Sequence, residues 1–219
     1  MIADVPGGGM IQAGSTPTGT AGCSAIVLAV LLPIIAGFLP GCYRTVIKNV
    51  EIDRLNAEAK KLGGSAGNAG DASDIFLDLT GTGIGDEGFA RLARMDGFKW
   101  VGILSLADTR ITDASSERLA DHPTLGMIDL SRTNITDKSM PYLITFKYVF
   151  SVRLAGTGIT DAGLEALKAI PEVSPYQSGS IDLTDTKVTE AGVQNLVKNW
   201  KGSRTNIVYG TSQAPKQLR

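Results

Sequence analysis

Histidine occurs once in this chain of 219 residues and cysteine twice. The lone His122 stands in Asp121-His-Pro123 behind an expected helix, with no nucleophile motif beside it. A catalytic triad needs a base oriented against a nucleophile, and a metal site needs clustered ligands. His122 therefore reads as an exposed loop histidine, and no catalytic residue, metal ligand or cofactor is assigned. Cys23 and Cys42 bracket one hydrophobic segment, so the rest of the chain has no disulfide framework. The formal net charge is −1, which argues against a nucleic-acid binder.

Charge itself is missing from Val5 to Tyr43. Residues 1–22 are rich in Gly, Ser, Thr, Pro and Ala, and are expected to be a disordered tail. Residues 23–43 form an uncharged, mostly apolar run about as long as a bilayer is thick. Membrane association through this segment is expected. Arg44, Lys48 and Arg54 follow it while no Lys or Arg precedes it, a bias that favours a cytoplasmic C-terminal side. A cleaved signal would export the rest but normally begins with a basic region, which is missing.

Residues 44–64 carry a rough apolar stripe, Ile47, Val50, Ile52, Leu55, Ala59 and Leu62, ended by Gly63-Gly64. They are expected to form a helix that caps the domain C-terminal to it. Residues 65–74 read as a Gly/Ala/Asp linker, and 211–219 as a loose tail.

Repetition is what the chain has in abundance. The pattern apolar-x-Leu-x-x-Thr-x-(Ile/Val) occurs on Thr82, Thr109, Thr133, Thr157 and Thr186, at spacings of 27, 24, 24 and 29 residues. Five before each threonine stand Leu77, Leu104, Ile128, Val152 and Ile181, and three before it stands leucine every time. Two after stand Ile84, Ile111, Ile135, Ile159 and Val188. Seven after stand Phe89, Ser116, Met140, Leu164 and Val193, and ten after stands leucine every time. Ser116 alone breaks the apolar rule.

The first two columns alternate with variable residues, as a strand with one inward face does. The last two lie three apart, on one side of a helix. Between them Thr112, Thr136, Thr160 and Thr189 each precede an acid, a helix-start signal. Each unit is strand, turn, short helix and return, and only stacking gives it a core.

This pattern resembles the leucine-rich repeat family over residues 75–210. The run Thr160-Asp-Ala-Gly-Leu164-Glu-Ala-Leu167 is similar to short bacterial leucine-rich repeats and to those of F-box/leucine-rich-repeat proteins. The resemblance implies an α/β solenoid (horseshoe) of five repeats and a terminal strand at Ile207–Tyr209. A parallel concave sheet and short convex helices are expected, preceded by a hydrophobic N-terminal helix. The family often has asparagine at the anchor; threonine here implies an internal hydroxyl ladder. Leu39-Pro-Gly-Cys42 resembles the bacterial lipobox, which makes Cys42 a candidate for lipidation. A spanning helix and a lipid anchor both stay open, on either side of the membrane, and a bacterial cell envelope is the expected location.

Strand residues between the core columns are expected to face outward on the concave side. They are Asp78, Ser105, Asp129, Arg153 and Asp182, four before the anchor, and Gly81, Asp108, Arg132, Gly156 and Asp185, one before it. The candidate binding face is therefore Asp78, Asp108, Asp129, Arg132, Arg153, Asp182 and Asp185, acidic on balance, with an unidentified protein or peptide as partner. The insertion at Pro171–Ser180 is a second candidate for recognition.

Gly83-Ile-Gly85-Asp-Glu-Gly88 matches a dinucleotide fingerprint, with Asp108 placed as its ribose acid. Alignment of the repeats accounts for each glycine, so this is read as a variant first repeat. The preferred function is non-enzymatic, membrane-associated protein binding. The alternatives are an F-box-like substrate-recognition component of a ubiquitin ligase, and a nucleotide-binding enzyme.

Overall fold

The computed structural model describes residues 40–69, 75–146, 150–167, 180–199 and 206–218. The expected tail 1–22, all but the last residues of the hydrophobic segment 23–43, and nearly all of the insertion at Pro171–Ser180 lie outside them. The chain divides into two units, Met1–Arg44 and Thr45–Arg219, and the sheet with its core belongs to the second.

Helix α1 spans Pro40–Lys61, starting earlier than the stripe predicted. Its stop comes from two glycines. The Gly64 N–H donates to the Ala59 carbonyl and the Gly63 N–H to that of Lys60, with Gly63 at φ +86°. This paired closure needs a left-handed residue, which glycine adopts without strain. Ile52, Leu55 and Ala59 are buried. Leu55 and the Glu51 carbonyl press on Gly97, where a side chain would not fit, and the Asn56 Oδ1 accepts from the Ala66 N–H at 3.0 Å.

Eight strands form one sheet in sequence order: β1 Ser65–Asn68, β2 Ile75–Asp78, β3 Val101–Ser105, β4 Met127–Asp129, β5 Ser151–Arg153, β6 Ser180–Thr184, β7 Asn206–Thr211 and β8 Ala214–Leu218. β2 to β7 run parallel, while β1 and β8 close the two edges antiparallel. Two sequence expectations are corrected at these edges. Part of the expected linker, Ser65–Asn68, is a strand, and most of the expected loose tail is β8. Neither shows an apolar alternation: β1 offers the core only Ala66 and β8 only the partly buried Leu218, and backbone pairing supplies most of their hold. Pro215 and Lys216 sit on the outer strand, residues that discourage further pairing.

Helical segments return the chain between the parallel strands. They are α2 Asp86–Ala93, α3 Asp113–Ser116, α4 Met140–Leu143, α5 Asp161–Leu167 and α6 Glu190–Asn199, with 3₁₀ turns at Asp96–Trp100, Glu117–Leu119 and Asp137–Ser139. The apolar columns join into a single cluster, in which Leu77, Leu104, Ile128, Val152 and Ile181 are buried beside their partner leucines. Register places them directly side by side. Burial of each large side chain favours folding by about 1.5–3 kcal/mol before the cost of ordering the chain.

The anchor threonines act within their own repeats. The hydroxyls of Thr82, Thr109, Thr133, Thr157 and Thr186 donate to the carbonyl three residues back, at 2.6–2.7 Å. The internal series of threonine hydroxyls expected from the anchor column is therefore present, each bonded to the backbone of its own repeat, while side-chain bonds from one repeat to the next stand at the helix starts. Asp86 accepts the Thr112 N–H and hydroxyl, at 2.8 and 2.7 Å. Asp113 does the same for Thr136, Asp137 for Thr160 and Asp161 for Thr189, at 2.7–2.8 Å. Each carboxylate thereby pins the next repeat, beyond any effect on its own helix.

This rung explains a column of small residues. Ser115 and Ser139 add a hydroxyl to the same carboxylates, at 2.6 and 2.5 Å. Gly163 and Gly192 leave room for Asp137 and Asp161, which a Cβ there would strike. It also accounts for Ser116, which is fully buried and donates to the Ser139 hydroxyl at 2.8 Å. The one polar intruder among the core columns ends on the Asp113 carboxylate through Ser139.

His122 is buried, contrary to the exposed loop expected. Its Nε2 lies 3.0 Å from the Phe98 carbonyl, and its ring meets Phe98 edge-on at 4.9 Å. An isolated histidine before proline gave no hint of a neighbour 24 residues away.

Two pH effects result. Burial raises the carboxyls of Asp86 and Asp113, but serine and threonine donors outweigh it, so both sit below 3.8. Their stabilisation is full above that value and is lost as pH falls through their lower folded values. Asp113→Asn should cost about 1–2 kcal/mol at neutral pH and lessen the loss of stability between pH about 5 and 3, measured by urea unfolding. Burial lowers His122 below 6.5 despite the Phe98 carbonyl. The unfolded chain then binds the proton first, so stability drops as pH falls below about 6.5. His122→Gln should remove that portion of the slope.

Candidate functional site

The seven candidate residues divide between strands and turns. Asp78, Asp129, Arg153 and Asp182 lie on β2, β4, β5 and β6 in a single register row with Ser105. Their neighbours Leu77, Ile128, Val152 and Ile181 are buried, so alternation turns the row to the opposite, open face of the sheet.

Asp108, Arg132 and Asp185 lie beyond the strands, and the expectation that they belong to the strand face is corrected. With Gly81 and Gly156 they form the left-handed residue of each turn, at φ 54–67°. The position repeats because the chain must reverse while its N–H still pairs across. Gly81, Asp108, Arg132, Gly156 and Asp185 each donate to a carbonyl of the next repeat or of β7, at 2.7–2.9 Å. Glycine and aspartate tolerate this conformation; arginine is strained in it.

Arg132 is held by a forked ion pair, its Nε and Nη2 each 2.5 Å from the Asp108 carboxylate. Its hydrogen bond and charge lower the Asp108 carboxyl, and Asp108 raises the Arg132 guanidinium in return. Arg153 reaches Asp129 at 3.4 Å. Both arginines therefore face an acid of the preceding repeat. The other acids close turns: Asp78 accepts the Thr80 N–H, Asp182 the Thr184 N–H and hydroxyl, and Asp185 the Ser212 N–H of the β7–β8 turn. Among the described residues no cation pairs with Asp78, Asp182 or Asp185.

One row escaped the sequence reading. Phe76, Ile103, Met127, Ser151, Ser180 and Asn206 stand in register six before the anchors and at the start of β7. The first three are half-buried on the open face. The signal was one more step of period-2 alternation, so the same alignment would have found it.

The glycine fingerprint lines an open hollow of about 710 Å³, bounded by Leu62, Gly83, Ile84, Gly85, Asp86, Glu87, Gly88, Arg91 and Arg110. Asp86 there is already engaged by Thr112 and Ser115, and Asp108 by Arg132. Gly88 is small because Ile84 lies against it. Among the described residues no group of three His, Cys, Asp or Glu is placed to hold a metal ion.

A leucine-rich repeat family profile matches residues 76–93 and 151–168. No curated protein matches. Among solved structures, the chain is similar to "Leiomodin-1 Actin-Binding Site 2 (ABS2)", with 14% identity and a TM-score of 0.42 over 68% of this chain and 86% of that one.

The turn geometry separates two variants of one residue. Arg132→Ala loses the ion pair and keeps the left-handed strain, whereas Arg132→Gly loses the ion pair and the strain together. The glycine variant should be the more stable by about 1 kcal/mol in urea unfolding, although alanine is ordinarily the more stabilising of the two.

Proposed function

The chain is a leucine-rich repeat protein, and we propose that it works without catalysis, as a membrane-associated module that binds another protein through its open sheet face. The observation carrying this reading is the face itself: in-register rows of side chains on β2 to β7 that the core does not use. Asp129 and Arg153 lie at its centre. Membrane association rests on the uncharged run 23–43. Among the described residues no helix is long and apolar enough to cross a membrane; residues 23–39 are outside them. The cell-envelope location rests on the lipobox-like Leu39–Cys42 and on likeness to bacterial repeats.

Exchanging the central charges, Asp129→Arg with Arg153→Asp, keeps their mutual attraction and inverts the local field. Crosslinking from intact cells should yield a partner with the parent chain and lose it with the exchanged one, at an unchanged melting temperature. Retention of every partner would rule out the face. Fractionation with protease accessibility should place the chain in the membrane fraction, and mass analysis of its N-terminus should read lipid on Cys42 or an intact segment. Recovery wholly in the soluble fraction would end the membrane reading.

A further inference from the structure

The open face is uneven in a way that specifies what it would take. Phe76, Ile103 and Met127 make an apolar strip on β2, β3 and β4, and the same row continues as Ser151, Ser180 and Asn206. Neighbouring strands lie about 4.8 Å apart, so the strip is about 10 Å long. Beside it runs the row Asp78, Ser105, Asp129, Arg153, Asp182. The middle of that row is neutral, because Arg153 faces Asp129 at 3.4 Å. Farther out Arg132 is forked onto Asp108. The charges without a cation partner among the described residues are Asp78, Asp182 and Asp185, near the two ends of the row.

Resting on the open-face reading, we propose that the occupant is a basic segment of another protein lying across the strands. It seats an aliphatic or aromatic side chain on Phe76, Ile103 and Met127, with one lysine or arginine at Asp78 and another toward Asp182. Charge complementarity selects this occupant. An acidic segment would meet three uncompensated carboxylates, with both arginines already engaged. The geometry sets its length: Asp78 and Asp182 stand four strands apart, about 19 Å, which an extended segment covers in about six residues. The apolar strip lies toward the Asp78 end, so the anchoring side chain belongs near one of the two cations, which fixes the direction of the segment.

A displayed library of random linear peptides, panned on the full chain at low and high salt, tests this. Enriched peptides should pair Lys or Arg with a Leu, Ile, Met or Phe, and should weaken at high salt. Their affinity should fall at least about tenfold on Asp78→Lys with Asp182→Lys, and similarly on Met127→Ser or Ile103→Thr. All four positions are on the solvent side of the sheet, and an unchanged melting temperature marks each variant as folded. Enrichment of acidic peptides, or of peptides indifferent to these variants but lost on the Asp129/Arg153 exchange, would overturn the basic-segment inference and leave the open-face reading standing. Failure to enrich any peptide sensitive to an open-face variant would overturn both.

Discussion

A unit of about two dozen residues with one strand and one short helix has an apolar inner side and nothing of its own to cover it. Every repeat here is therefore folded only against its neighbours. The apolar columns supply the drive, but burial has no direction and would tolerate a slip or a rotation of one unit on the next. The carboxylate at the helix starts Asp86, Asp113, Asp137 and Asp161 removes that freedom. It accepts two bonds from the following threonine, and in two repeats a third from serine. With the strand register on one side and the rung on the other, each unit is held at two separated lines. The open face is ordered because its backing is.

That division explains what was legible in the chain. The columns at Leu79, Leu106, Leu130, Leu154 and Leu183 declare strand, core and period because each repeats the same local rule. The rungs were half visible: Thr-Asp announced a helix start, but its main bond crosses 23 to 28 residues to the next unit. Ser116 read as a fault and is a relay from the core to Asp113. His122 read as a surface residue because its partner Phe98 belongs to another return turn. The edge strands were missed because pairing at an edge needs no apolar pattern.

The candidate face was legible as a set of residues and misleading as a charge. Counting acids against arginines gives an acidic surface with basic points. The structure pairs each arginine with an acid one repeat earlier, and the turn position places Arg132 in a conformation natural to glycine. What remains uncompensated is confined near the ends of the row. Row membership needed only alternation, whereas pairing needed the stacking distance.

The rung between repeats also has a sense. Each internal unit presents a hydroxyl backward and a carboxylate forward, so any unit fits behind any other. The first lacks the hydroxyl, having Gly85, since none of the aligned units precedes it. The last carries the longer Glu190, which meets Lys216 of β8 rather than a sixth threonine. A duplicated segment of one period would arrive with one donor and one acceptor and leave no carboxylate orphaned, while a fragment of a period would leave both. Such a gene can lengthen or shorten by whole repeats without first altering either end, and the width of its recognition surface is then a copy number rather than a design.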